Sequence, residues 1–132
     1  MVDQTASRRV REVITGAPSS SMPFSKAIGY GDLVFISGLI GRHPETHEIG
    51  PDIASQTSQA MRNVQHQLEL AGSSMDKVLK VTVFILDMKQ FKAMNDAYRR
   101  FFIADPPTRS CVEVTSLPDG DALVEIEVIA GR

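Results

Sequence analysis

The sequence holds a single cysteine, Cys111, among its 132 residues. One thiol cannot close an internal disulfide, so packing alone must hold the fold, and a reducing compartment suits it. Long apolar runs are also missing. No segment reaches the roughly 18 to 20 residues of a membrane span, and the N-terminus lacks the apolar core of a secretory signal, so the expected location is the cytoplasm, with no membrane partner. Positive charge is scarce: 14 Lys and Arg against 16 Asp and Glu leave a formal net charge of -2. A protein that binds a phosphate backbone carries a concentrated positive field, so nucleic acid is not an expected partner. The basic run Arg8-Arg9-Val10-Arg11 reads as a solvated N-terminal arm. No glycine-rich phosphate loop is present, because Gly29 and Gly31 precede a strand instead of leading from a strand into a helix. His43 and His47 are four apart, yet Pro44 opposes a helix through both, so no metal site is expected.

What is present suffices for one soluble domain with a real core: 42% of residues are hydrophobic and 23% charged. The expected organisation is a single domain over 1–132, with 1–20 as a loosely held arm that contains a short extended piece near Val10 to Val13. Runs rich in β-formers at Phe24 to Ile28 and Leu33 to Gly38, separated by Gly29-Tyr30-Gly31-Asp32, predict a hairpin. Asp52 offers a cap for a helix whose apolar stripe is Ile53, Ala60, Met61, Val64, Leu68 and Ala71, with Gly72 as its stop. His66 is alone on that helix and needs no special account. Val78 to Leu86 is apolar on both parities, as a central strand covered on both faces would be. Asp87 opens a second helix carrying Phe91, Met94, Tyr98, Phe101 and Phe102, which Asp105-Pro106-Pro107 ends.

The last two strands carry the candidate chemistry. Pro107 marks a strand entrance, which puts Arg109 beside a loop where a guanidinium can meet a ligand. In the final strand Leu123, Glu125, Glu127 and Ile129 alternate with Val124, Ile126, Val128 and Ala130, so two carboxylates share a face. Charged residues on a solvated strand are ordinary surface features as well. The order strand, strand, helix, strand, helix, strand, strand predicts an α+β fold with a mixed sheet and both helices packed on one face. The uncovered face, with its Val and Ile, would expose more apolar area than a monomer tolerates, which motivates self-association.

Five segments in this order carry a resemblance: Pro-Phe-Ser-Lys-Ala from Pro23, Phe-Ile-Ser-Gly from Phe35, Lys-Val-Thr-Val-Phe from Lys80, Pro-Thr-Arg-Ser-Cys-Val-Glu-Val from Pro107, and Leu-Val-Glu-Ile-Glu-Val-Ile-Ala from Leu123. From about Pro18 to Ala130 the chain resembles the RidA, or YjgF-like, family of enamine and imine deaminases. The resemblance implies a chorismate-mutase-like fold assembled as a homotrimer with sites between subunits. It also implies hydrolysis of reactive 2-imino and enamine acids to 2-keto acids and ammonia. Arg109 matches the arginine that holds the substrate carboxylate and Glu125 the residue that activates water. Ser37, Gly38, Asn95 and Cys111 match groups that orient the imine end. No metal or organic cofactor is implied, because an imine is already electrophilic.

Phe24 stands where the family's deaminases carry a tyrosine, and Leu39 where many have glutamine. The lost phenol and amide favour a larger or more apolar substrate. The resemblance also admits two other readings. One is a deaminase of amino-muconate-type dicarboxylates, with Arg42 or Lys26 as a second cation. The other is a keto-acid-binding regulatory trimer without turnover. The net negative charge argues against the ribonuclease activity ascribed to some relatives.

Overall fold

The computed structural model describes residues 9–14 and 22–132. Expectations for 1–8 and 15–21, and with them most of the N-terminal arm, lie outside the described residues. The strands are β1 (Glu12–Val13), β2 (Ala27–Tyr30), β3 (Leu33–Ile40), β4 (Val78–Ile85), β5 (Thr108–Glu113) and β6 (Val124–Gly131), and the helices are α1 (Ile53–Leu70) and α2 (Phe91–Tyr98). They form one six-stranded sheet in the order β1-β2-β3-β6-β4-β5. Among the described strands only the β4–β5 pair is parallel, its crossover made by α2. Among the described residues, no helix is long and apolar enough to cross a membrane.

Local chemistry sets the boundaries of α1. The Asp52 side chain accepts from the Ser55 N–H at 2.8 Å, and these Ser55 bonds hold its carboxyl below the ordinary value. At the other end Gly72 takes a φ of 78°. There Ser73 N–H reaches Leu68 O at 2.8 Å and Gly72 N–H reaches Glu69 O at 3.1 Å, which satisfies the last carbonyls. The stripe Ala60, Met61, Val64 and Leu68 is buried against Val34, Val81, Val83, Ile126 and Val128 of the sheet, joined by Met94 and Tyr98 of α2. Each of the larger side chains contributes roughly 1.5 to 3 kcal/mol on burial. Truncating Ile126 at the centre of this layer would cost about 2 to 5 kcal/mol.

Three expectations change. The strand expected from Phe24 starts at Ala27, with Phe24 in a bend, because the Ser37 hydroxyl takes the Ser25 carbonyl at 2.6 Å outside the ladder. The hairpin turn is shorter than expected: Gly29 and Tyr30 stay paired, and the reversal falls at Gly31-Asp32, where Gly31 has φ 58°. The second helix is a composite. A tight turn at Met88–Gln90, capped by Asp87 on Lys89 N–H at 2.9 Å, leads into α2, and a second at Arg99–Phe101 ends it. Pro106 and Pro107 forbid further helix, and Asp105 (φ 46°) redirects the chain into β5. The extended piece near Val10 to Val13 is the short strand β1, paired with β2.

Strand β3 is irregular in two ways. A bulge between Ile36 and Leu39 adds one residue, so that Ser37 and Gly38 stand opposite Glu127 alone, Leu39 pairs with Ile126 and Ile40 with Glu125. The β2 pairing ends at Ile36 and the last backbone bond on that side is Ser37 N–H to Lys26 O at 2.9 Å, so that beyond Ser37 β3 has no neighbouring strand on that side among the described residues. Asn63 of α1 covers it, donating its amide to Ile40 O and Arg42 O, both at 2.9 Å. The sheet face away from the helices shows Phe35, Leu79 and Val112 at 41%, 51% and 43% exposure, an apolar surface in need of a cover.

Candidate active site: two half-sites on opposite faces of the sheet

Glu125 points away from the helices. Its neighbours Val124 and Ile126 are buried under α1, and period-two alternation puts Glu125 and Glu127 on the open face. It borders a cavity of about 420 Å³ that reaches round the β3 edge to α1 and is lined by Phe24, Lys26, Ser37, Gly38, Leu39 and His66 among others. Gly38 makes this approach possible: a Cβ on it would lie 2.7 Å from Glu125 Oε2. Burial, and then the Glu127 charge, push the Glu125 carboxyl above its ordinary value. A carboxylate so placed is a stronger base than one in water.

Arg109 belongs to the other face. It pairs across β4 with Val81, which pairs in turn with Val128, and both valines are buried on the helix side. Its guanidinium carbon lies 4.7 Å from the Tyr98 ring centroid and 5.6 Å from that of Phe91. The Nη1 group donates weakly to Met94 Sδ at 3.9 Å, and no acidic side chain among the described residues pairs with it. Beside it, Asn95 Oδ1 and the Tyr98 hydroxyl are buried without a hydrogen-bond partner among the described residues. Burial pushes the Tyr98 phenol up to about 12, against the pull of Arg109, so it stays neutral. Asn95, Tyr98, Phe102, Pro106, Pro107 and Arg109 enclose about 310 Å³. Cys111 follows Arg109 on the same face, its thiol raised by burial and tempered by Arg109.

The expected residues therefore fall into two groups. Phe24, Ser37 and Gly38 gather around Glu125, whereas Asn95 and Cys111 gather around Arg109, and the sheet separates the groups within one chain. Arg42 is not a spare cation. Its Nε and Nη2 hold Asp119 at 3.0 and 2.9 Å and its Nη1 donates to His47 O at 2.6 Å, so it is removed as a candidate for a second carboxylate. Asp119 is held below its ordinary value by the Asp121 N–H first and by Arg42 as well. His66, alone on its helix and given no special account from the sequence, is exposed on α1 and lines the Glu125 cavity together with Asn63, His43 and His47. The missed signal was the end of β2 pairing, which opens the β3 edge toward α1. His43 Nδ1 accepts from Glu45 and Thr46 N–H, both at 3.2 Å, which orders its turn.

Known proteins share this sequence and this fold. Residues 14–131 match the family model described as Endoribonuclease L-PSP. A RutC family protein of Pyrococcus horikoshii is 44% identical over 124 residues, 92% of this chain and 98% of that one. The 2-iminobutanoate/2-iminopropanoate deaminase of Escherichia coli K12 is 39% identical over 119 residues, 88% of this chain and 92% of that one. The crystal structure of Escherichia coli TdcF with bound serine superposes with a TM-score of 0.85 at 39% identity, covering 92% of this chain and 98% of that one. Sequence and fold agree over nearly the whole length, and the chain belongs to the RidA, or YjgF-like, family.

Proposed function

We propose that this protein hydrolyses reactive 2-imino and enamine acids to 2-keto acids and ammonia, at sites each built from the Arg109 half of one chain and the Glu125 half of the next in a homotrimer. The carrying observation is the separation of two incomplete half-sites: an oriented cation with no acidic partner among the described residues on one face and a base with raised proton affinity on the other. The open apolar face supports the assembly that would join them. The serine bound to the Escherichia coli relative carries an α-carboxylate, the group Arg109 would take bidentately.

In this mechanism Arg109 holds the substrate carboxylate while Asn95 and the Cys111 region orient the imine end. Glu125 accepts a proton from water as its oxygen bonds to the imine carbon. That proton passes to nitrogen to give a carbinolamine; its hydroxyl then gives up its proton as the carbonyl forms and the C–N bond breaks, and the nitrogen, taking this second proton through Glu125, leaves as ammonia from a 2-keto acid. Phe24 supplies no hydroxyl, and the Glu125 cavity is far larger than a two- or three-carbon side chain, so longer and more apolar imino acids suit it best.

Subunit complementation tests the reading. Arg109→Ala and Glu125→Gln should each abolish most ammonia release from freshly generated imino acids. Chains of the two variants, unfolded together and refolded as mixed trimers, should regain about a quarter of wild-type activity, the share of sites combining both intact halves. No regain would place both residues in a site within one chain. Full binding of keto acids with no turnover by the wild type would make the protein a regulatory binder.

A further inference from the structure

We infer that Phe91 and Tyr98 form an aromatic clamp that orients the Arg109 guanidinium without neutralising it, which makes both rings positioning residues for the substrate carboxylate. The inference rests on the anion-anchor role proposed for Arg109. An arginine on an edge strand is ordinarily steered by a carboxylate, and the nearby acids are spent elsewhere. Glu113, on the same strand and face, accepts from Met88 N–H at 2.7 Å. Asp96 of α2 holds Lys92 at 2.8 Å and Arg99 at 3.8 Å.

What steers Arg109 besides the weak Met94 contact is aromatic. Both ring centroids lie within the roughly 6 Å over which a ring face attracts a cation. Ring faces fix the plane of a guanidinium yet take none of its N–H donors, whereas a carboxylate would take two and cancel the charge. The clamp therefore delivers what an anion site needs, an ordered fork whose donors are spent on nothing stronger than the weak Met94 Sδ contact. The helix supplies both rings by register, since Phe91 and Tyr98 are seven residues apart and so share a face of α2. Tyr98 is buried in the core, whereas Phe91 is 38% exposed and lies outside the buried core cluster, so a change at Phe91 can be made without touching the core.

Calorimetric titration with 2-oxobutanoate and with its neutral amide tests the clamp. Phe91→Leu keeps apolar bulk and loses the ring. It should weaken oxobutanoate binding by roughly two- to fivefold, leave the amide unchanged, and raise KM more than it lowers kcat. Tyr98→Leu should act likewise and Tyr98→Phe should restore affinity, because the ring and not the hydroxyl does the holding. Equal weakening of acid and amide in Phe91→Leu, or none of either, would overturn the clamp while Arg109→Ala still loses the acid. An Arg109→Ala protein that binds oxobutanoate normally would instead overturn the anchor reading on which the clamp depends.

Discussion

Replacing Gly38 with alanine should disable the protein without unfolding it. The added Cβ would sit 2.7 Å from Glu125 Oε2, 2.8 Å from its Cδ and 3.0 Å from its Cγ. Ordinary contact begins near 3.4 Å, so the carboxylate must retreat by about 0.7 Å. The backbone at Gly38 has no left-handed φ, so alanine adds no backbone strain there and even trims unfolded-state entropy, while the flexible end of the Glu125 side chain can give way. Tm should therefore stay close to wild type. Catalysis is less forgiving, because a misplacement near 1 Å can cost about 10²-fold in rate. Steady-state ammonia release should show kcat down by roughly 10- to 100-fold with KM little changed. The decisive check is the pair Gly38→Ala and Glu125→Gln combined: if the glycine acts only through Glu125, the double variant should be no slower than Glu125→Gln alone. An additive loss, or a Gly38→Ala protein with normal turnover, would show that the space at Gly38 is not kept for the carboxylate.

Glu125→Gln alone should lower turnover by ~10²-fold or more. It should also raise Tm slightly at pH 7. Because the folded-state value of Glu125 is raised, protonation stabilises the fold below the usual value of about 4.3, and that contribution is lost as pH rises through the folded value. The neutral glutamine avoids the loss, so the two proteins should converge in acid, and a gap that widens there would reverse the sign. The same shift places the acid limb of kcat/KM above the ordinary glutamate range, as a pH-rate profile would show. Sedimentation equilibrium should give about three times the 14.5 kDa chain mass, and a monomer would leave the half-sites apart.

The sequence made some of this legible for physical reasons. Asp52, the apolar stripe and Gly72 outlined α1 because caps and period 3.6 are local. Alternation in β6 put Glu125 and Glu127 on one face because the intervening residues are all apolar. The same logic failed for β5, which is at least partly exposed at every position and so gives no parity signal. Only its parallel register with β4 assigns Arg109 and Cys111 to the helix side. The resemblance named Arg109 and Glu125 together, but nothing local said that one chain keeps them apart. Phe24 and His66 join a cavity through the bend before β2 and the bulge in β3, and neither has a periodic signature.

Asn63 bears on how the cavity exists at all. A strand that loses its neighbour halfway presents carbonyls to which any passing extended chain could pair. Asn63 answers two of them with one planar amide, standing in for the N–H groups of a strand that is not there. Had β2 continued beside β3 past Ile36, its backbone would occupy the space into which Gly38, Ile40 and Glu125 now face. The cavity is thus a missing length of strand, its exposed rail sealed by a side chain from the helix beneath.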